Sequence, residues 1–313
     1  MKISALTVRL HRQTQIFSIA IYRGPTPLEF YPAHDVLNPV LTGHQVKDIR
    51  ASVVADPFLL FKRGSWHMFF EAVDTVRNRG VIAFATSPDS RAWTYQQVVL
   101  TEPFHLSYPY VFEHQGCCYM VPETRQAGAV RLYQADPFPY RWKLVDILIS
   151  VPLADCSLIQ FQDRWWLFGL HENQKLRLFH SRELFGPWVE HRSSPVMQDR
   201  ADRMRPAGRI IPWGKGLLRY AQDCQTAYGL RVWPSLVTLS EEAYCEELLG
   251  NPVLGPGAER WNRDGMHHID PHQLPNGEWL ACVDGWFLQN QNLAQRAVES
   301  AKLRYLRWRS LRK

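Results

Sequence analysis

A strand–turn–strand unit that recurs five times constrains this chain more than any other feature of its sequence. Its first copy, residues 55–71, reads ADPFLLFKRGSWHMFFE: a polar corner, an apolar strand, a turn at Arg63-Gly64, and a second strand that ends at an acid. The other four copies occupy residues 107–123, 154–170, 204–222 and 267–285. Repeats of about 50 residues that contain only strands predict a propeller or another closed array. Five copies predict five blades.

The order of the copies also predicts how the ring closes. Residues 16–43 look like the outer half of a blade without an inner half, whereas the last copy lacks an outer half. Joining the two completes a fifth blade and removes the open edges of the sheets. We therefore predict an all-β fold, a five-bladed β-propeller over residues 1–290 that is closed by an N-terminal strand. Its blades are predicted at residues 54–101, 106–150, 154–197, 204–254, and 267–287 together with 16–43.

The residues after the last copy change period, and we assign 291–313 to a basic, amphipathic C-terminal helix. Its apolar residues fall on one helical face, opposite many arginines: Ala294, Val298, Ala301, Tyr305 and Trp308. Three roles stay open for residues 293–313. They can pack beneath the propeller, lie on an anionic membrane surface, or contact a protein partner.

The net charge of +6 does not point to nucleic acid. Residues 296–313 carry seven Lys or Arg and one Glu, which accounts for the whole excess. The remaining chain is neutral overall, so it does not offer the basic face that nucleic-acid binding requires. We therefore expect no nucleic-acid partner.

The cysteines and the apolar runs favour a cytoplasmic, reducing setting. None of the six cysteines forms a CxxC pair, and several lie in strand patterns, where Cys behaves as a small buried hydrophobe. We find no apolar run with the length of a signal peptide or a membrane span.

Propeller geometry predicts where polar residues converge. The innermost strand of each blade begins at the same end of the central channel, so the residues that open the five copies meet there. The acids that end the second strands reach the same region. We call this region the funnel and predict that it is lined by Asp56, Tyr108, Asp155, Arg205, His267, His268 and Asp270 from the openings, and by Glu71, Glu123, Asp223 and Asp284 from the second strands.

Carboxylates gathered in one place must be relieved by cations or by raised pKa values, which is the condition for general acid–base chemistry. Asp56 is our candidate base or nucleophile, and Glu123 or Glu71 the proton donor. Asp155 is the candidate group that orients the others and tunes their pKa, and the remaining funnel residues are candidates for binding substrate. Arg205 suits a ligand carboxylate or phosphate, but it equally suits a counter-ion for the acids.

Each candidate acid also has a structural interpretation. Asp56 and Asp155 suit turns at strand starts, where Asp accepts backbone hydrogen bonds. Glu71 and Glu123 follow apolar strands, where a carboxylate can face solvent.

The motifs predict neither a cofactor nor a metal. The sequence has no GxGxxG after a strand, no GxxxxGK[ST], no GxSxG and no Asp-x-Asp element. His267, His268 and His272 form HHxDxH, which lacks the HExxH spacing of helical zinc sites. Histidines in a polar channel are typically hydrogen-bonding partners.

The blade-opening Asp-Pro and the acids around a funnel resemble the five-bladed propeller glycoside hydrolases of the arabinanase, β-xylosidase and invertase types. The resemblance implies an acid on the first blade, a supporting Asp on the third and a Glu proton donor on the fourth. Asp56 and Asp155 match the first two positions. Blade 4 instead opens with Arg205, and its nearest acid is Asp223.

A closer resemblance, over about residues 17–286, is to the N-terminal propeller domain of plant glucosamine inositolphosphorylceramide transferases and its bacterial relatives. It rests on ADPFLLF, FFE, HLSYPYVFEHQGCCYMVPE, WWLFG, RPAGR, Gln222-Asp223-Cys224, Tyr228-Gly229 and HHIDPHQLPNGEW. This resemblance implies a sugar-related context, with a sugar, sugar-phosphate or glycolipid substrate. We expect a carbohydrate-active enzyme that cleaves or transfers a glycosyl group in the funnel. A non-catalytic propeller that binds glycans or lipid headgroups for a biosynthetic complex, and a stand-alone glycosyltransferase, are the alternatives.

Overall fold

The chain forms five antiparallel sheets that are arranged as the blades of a propeller. The structure is a computed structural model that describes residues 12–172 and 174–291. Its helical elements within these ranges are three 3₁₀ turns: Gly43–Gln45, Arg125–Ala127 and Arg260–Asn262. No helix in this part of the chain combines the length and apolar character needed to span a bilayer. The predicted all-β, five-bladed propeller is confirmed, and the predicted C-terminal helix lies outside the described residues.

Blades 1 and 2 are regular four-stranded sheets in which the chain runs from the axis outward. The strands of blade 1 are Ala51–Lys62, Ser65–Asp74, Arg79–Ser87 and Thr94–Leu100. The strands of blade 2 are Ser107–His114, Cys117–Glu123, Val130–Ala135 and Trp142–Ile149.

Blades 3 and 4 depart from this regularity at opposite ends. The strands of blade 3 are Leu153–Phe161, Arg164–His171, Lys175–Ser181, Val189–Glu190 and Met197–Gln198, and the last two both pair with the third. The strands of blade 4 are Arg205–Pro206, Ile211–Trp213, Gly216–Asp223, Arg231–Leu239 and Tyr244–Leu248. Its inner strand is therefore interrupted, since both short segments pair with Gly216–Asp223.

Blade 5 combines strands from the two ends of the described chain. Its inner strands are Gly265–Gln273 and Trp279–Gln291, and its outer strands are Arg12–Thr26 and Glu29–Pro32, with Leu41–Thr42 paired beside them. Trp279–Gln291 and Arg12–Thr26 pair without interruption from Gly24 opposite Trp279 to Arg12 opposite Gln291. The N-terminal strand thus closes the ring, as the sequence predicted.

Large apolar side chains fill the space between neighbouring blades. Phe58, Phe69 and Phe84 come from three adjacent strands of blade 1 and are completely buried. They belong to one cluster with Tyr110 and Tyr133 of blade 2. Alternate residues of each strand therefore pack between the blades, and this packing explains most of the 39 aromatic residues in the sequence.

Candidate active site

A bulge at the start of the inner strand turns the polar side chains of blades 1, 2 and 3. The backbone φ angle is 52° at Asp56, 47° at Tyr108 and 50° at Asp155. Each of these residues lies where the register between the first and second strands shifts. Bulges re-aim side chains, and a left-handed conformation costs a non-glycine residue on the order of 1–3 kcal/mol. Strain repeated at three equivalent positions is typical of a functional site.

Asp56 lies in a buried cluster with side chains of blade 5. Its Oδ1 atom is 3.7 Å from both His267 Nε2 and His268 Nδ1. His267 donates from Nδ1 to Asp284 Oδ1 at 2.6 Å, and Asp284 Oδ2 accepts the backbone N–H of Asp56 at 2.9 Å. The backbone N–H of Tyr108 donates to Asp56 Oδ2 at 3.3 Å. Asp284 therefore fixes His267 and the backbone of Asp56 relative to one another.

Asp155 lies in a second buried cluster, with side chains of blades 2 and 4. Arg205 donates from Nε to Asp155 Oδ2, and Gln222 donates from Nε2 to the same oxygen at 3.2 Å. Glu123 interacts electrostatically with both Asp155 and Arg205. Its Oε1 atom is 3.8 Å from Arg125 Nε. Glu123 thus lies among one carboxylate and two guanidinium groups.

The surroundings of Glu123 keep its carboxyl group close to half-protonated at neutral pH. Burial raises the pKa of Glu123 to about 7, and the Asp155 carboxylate adds to the rise. Arg205 and Arg125 oppose it. A carboxyl group in this range both donates and accepts a proton readily at neutral pH.

The Asp56 cluster contains a carboxyl with a raised pKa beside an ion pair. Burial raises the pKa of Asp56 well above its ordinary value, against the effect of His267 and with that of nearby carboxylates. Although burial lowers it, Asp284 raises the pKa of His267 to about 9. Burial lowers the pKa of His268 to about 4, and its Nε2 atom is 3.0 Å from the carbonyl oxygen of Pro57. At neutral pH, His267 is therefore cationic and His268 neutral.

Glu71 is paired with a histidine on the connection between blades 1 and 2. His105 Nε2 is 3.1 Å from Glu71 Oε1. The backbone N–H of Gly80 donates to His105 Nδ1 at 2.9 Å, which places the ring proton on Nε2. A Cβ atom at Gly80 would lie 2.1 Å from the carbonyl oxygen of Leu106 and 2.7 Å from Glu71 Oε1, so this contact requires glycine.

Three other predicted residues are placed around these clusters. Asp223 ends its strand and accepts the backbone N–H of Gln225 at 3.0 Å. Tyr108 and Asp270 are completely buried, and their side chains are used within the protein. The Tyr108 hydroxyl is 2.9 Å from the carbonyl oxygen of Gly208 and 2.8 Å from Ser157 Oγ, which ties blades 2, 3 and 4 together.

Comparisons with known proteins identify the family of this chain. Residues 15–286 match the family model described as "Glucosamine inositolphosphorylceramide transferase 1, N-terminal". The chain belongs to this family. The resemblance inferred from the sequence motifs is therefore confirmed, and the family indicates a carbohydrate-related function.

Curated relatives of this family are similar over most of the chain. The chain is 36% identical over 295 residues to glucosamine inositolphosphorylceramide transferase 1 of Oryza sativa subsp. japonica, covering 86% of this chain and 40% of that protein. It is 31% identical over 308 residues to the Arabidopsis thaliana protein of the same name, covering 90% and 40%. The chain thus spans 40% of the length of these relatives.

Solved structures of glycoside hydrolases share the fold. A glycosyl hydrolase from Bacteroides ovatus superposes with a TM-score of 0.62 at 11% identity, covering 82% of this chain and 92% of that one. A thermostable family-43 glycoside hydrolase gives 0.57 at 13% identity, with coverages of 82% and 96%. A mutant alpha-L-arabinanase from Cellvibrio cellulosa gives 0.54 at 17% identity, with coverages of 76% and 91%.

Arg209 lies within RPAGR, one of the motifs that carried the resemblance to this family, yet sequence reasoning did not select it. Its Nε atom donates to Asp270 Oδ1 at 2.5 Å, and its Nη2 atom donates to the carbonyl oxygens of Leu59 at 3.3 Å and Val111 at 3.0 Å. Asp270 also accepts the backbone N–H of Leu59 at 2.6 Å. Arg209 therefore joins blades 1, 2, 4 and 5 on the axis.

His105 is the other residue that sequence reasoning missed. It lies in a connection between blades, outside the repeated unit, so the repeat gives it no equivalent position. Its neighbour Glu71 was selected because it ends the second strand of the first copy. The available signal was its position, since His105 is a polar residue two positions before Ser107, where the second copy begins.

Proposed function

We propose that the protein is a carbohydrate-active enzyme that cleaves or transfers a glycosyl group in the funnel. The observation that supports this most is Glu123, a buried carboxyl with a pKa of about 7 that lies close to the ion pair of Asp155 and Arg205. Cleavage of a glycosidic bond requires an acid that is protonated at working pH and that can give its proton to the leaving oxygen. Glu123 has this property, whereas Glu71 is engaged with His105.

In this proposal Asp56 acts as the base or nucleophile. Burial and neighbouring carboxylates raise the Asp56 pKa and so disfavour its ionised form, which is the form that a base or nucleophile requires. Positive charge that develops on the sugar ring in the transition state favours that form. Asp56 therefore interacts more strongly with the transition state than with the ground state, which is the requirement for catalysis. Asp155 positions Glu123 and raises its pKa.

The second candidate function is a propeller that binds glycans or lipid headgroups without catalysis. It is favoured by the pairing of the acids within the protein, since Asp155 is engaged by Arg205 and Asp284 by His267. Binding requires hydrogen-bonding groups in the funnel but no acid with a raised pKa.

The variants Glu123→Gln and Asp56→Asn separate the two functions. Turnover is measured on a panel of aryl glycosides, disaccharides and sugar phosphates, and binding of the same compounds is measured by calorimetry. We expect both variants to lose about 10²–10⁴-fold in turnover while sugar binding persists. Glu113→Gln is the control, because Glu113 is an exposed acid paired with Lys62 away from the funnel.

The leaving group sharpens the test of Glu123. A dinitrophenyl group departs without protonation, so Glu123→Gln is expected to be far less impaired on dinitrophenyl glycosides than on alkyl glycosides. Turnover that both variants retain in full, on every substrate that the unmodified protein processes, would contradict catalysis in the funnel.

A further inference from the structure

An exposed tyrosine lies beside both acid clusters. Tyr228 is 39% exposed, on the loop that joins strands Gly216–Asp223 and Arg231–Leu239 of blade 4. The Arg205 guanidinium lies over its ring, 5.0 Å from the centroid. The ring of His267 meets it at 5.4 Å with an interplanar angle of 70°. Tyr228 therefore contacts one cationic member of each cluster.

The loop that carries Tyr228 is fixed by its neighbours. The backbone N–H of Leu230 donates to the carbonyl oxygen of Asp223, and Trp286 Nε1 donates to that of Gly229, both at 2.9 Å. Gly229 has a φ angle of 62°, and a Cβ atom there would lie 2.5 Å from the Cβ of His267. The backbone next to Tyr228 thus packs directly on blade 5, which holds the ring in place before any ligand arrives.

The charged groups around Tyr228 limit the class of ligand that can bind next to its ring. Asp56, Asp155 and Arg205 all act electrostatically on its phenol group. Ionised and hydrogen-bonding groups therefore surround an aromatic residue that is itself partly open to solvent. A sugar ring suits this combination, because its C–H face packs on an aromatic ring while its hydroxyl groups both donate and accept hydrogen bonds.

We propose that Tyr228 is the platform of a sugar-binding subsite at the mouth of the funnel. A pyranose or furanose ring stacks on Tyr228, its hydroxyl groups donate to the carboxylates below, and Arg205 donates to a ring substituent. The fixed loop lowers the entropy lost on binding, since the platform is already ordered. The subsite rests on the proposed function only in requiring a sugar in the funnel, and it does not require that a bond be broken.

The test compares Tyr228→Ala and Tyr228→Phe in the full chain. The probes are the methyl glycosides of glucose, galactose, N-acetylglucosamine, xylose and arabinose, with adenine as a planar aromatic compound that contains no sugar. Binding is followed by saturation-transfer NMR and by titration of tryptophan fluorescence. Tyr140→Ala is the matched control, because Tyr140 is 51% exposed on blade 2.

We expect at least one glycoside to bind, Tyr228→Ala to weaken its binding by about tenfold, and Tyr228→Phe and Tyr140→Ala to change it by less than about threefold. Unfolding curves establish that the variants are folded, and the Phe variant retains the ring if the Ala variant is unstable. Three results would overturn the subsite: equal affinity for Tyr228→Ala, binding of adenine alone, or no glycoside binding at millimolar concentration.

The Tyr228 variants test the subsite, whereas the Glu123 and Asp56 variants test catalysis. Either proposal can therefore fail without the other. If Glu123→Gln and Asp56→Asn leave turnover unchanged while Tyr228→Ala still weakens sugar binding, the catalytic proposal fails and the subsite stands. If turnover requires Glu123 but Tyr228→Ala binds and turns over substrate normally, the subsite fails and catalysis stands.

Discussion

At the scale of single residues, Glu123 and Asp284 show how neighbours decide whether a buried carboxyl keeps its proton. Both are buried, and burial alone raises the pKa of each. Glu123 lies beside another carboxylate, and its pKa rises to about 7. Asp284 accepts a hydrogen bond from the cationic His267, which lowers the Asp284 pKa despite burial. The same chemical group therefore retains its proton more readily in one cluster and is a fixed anion in the other.

Replacing Asp284 by Asn is predicted to lower the pKa of His267 from about 9 toward or below its ordinary value of 6.5. Without the carboxylate, burial becomes the dominant effect on the His267 pKa, and burial disfavours the imidazolium. The measurement is an NMR titration of the His267 ring in both proteins. A His267 ring that titrates near 6.5 in the unmodified protein would show that the ion pair is absent.

The same pair makes stability depend on pH. The pKa of His267 is higher in the folded protein than in the unfolded chain, so its stabilisation is complete below pH 6.5 and is lost as pH rises through about 9. Urea unfolding between pH 6 and pH 9 is expected to show this loss in the unmodified protein and a flatter profile in Asp284→Asn.

At the scale of elements, the interrupted inner strand of blade 4 brings an arginine onto the axis. Gly208 has a φ angle of 129°, and a Cβ atom there would lie 1.8 Å from the carbonyl oxygen of Ile269. Because glycine is present, the backbone of blade 4 bridges directly to the inner strand of blade 5. Arg209 follows at once and reaches Asp270, with its guanidinium 4.9 Å from the centre of the Tyr110 ring.

Breaking the Arg209–Asp270 pair from one side is predicted to destabilise the fold by about 3–5 kcal/mol, because the remaining charge is left buried and unpaired. The variants Arg209→Met and Asp270→Asn are compared with the double variant by urea unfolding. We expect the double variant to lose clearly less than the sum of the two single losses. Strictly additive losses would mean that the two side chains do not act as a pair.

At the scale of the whole molecule, the repeat explains how much the sequence predicted. Five similar hairpins require five blades, and the unmatched halves at residues 16–43 and 267–285 require each other, so the ring and its closure followed from patterns. The blade-opening positions also follow from the ring, because equivalent residues of a closed array share one end of the axis.

The contacts within the funnel did not follow from those patterns. Asp56, Tyr108 and Asp155 open successive blades, yet Tyr108 turns its hydroxyl to Gly208 while the two acids enter different clusters. Which partner each side chain takes depends on the bulges and on residues outside the repeated unit. His105 is such a residue. Arg209 lies within the fourth copy, but at the interruption of the blade 4 inner strand between Arg205–Pro206 and Ile211–Trp213, so the repeat pattern carries no information about its contacts either.

We propose that Asp56 and Glu123 act together on one sugar in the funnel. The most direct test is a crystal structure of the Glu123→Gln variant soaked with a glycoside that the unmodified protein binds. We predict density for the sugar in the funnel, with its anomeric carbon within about 3–3.5 Å of an Asp56 oxygen or of a water bound to that oxygen, and its glycosidic oxygen beside residue 123. A bound sugar elsewhere on the protein, or an empty funnel at saturating sugar, would contradict it.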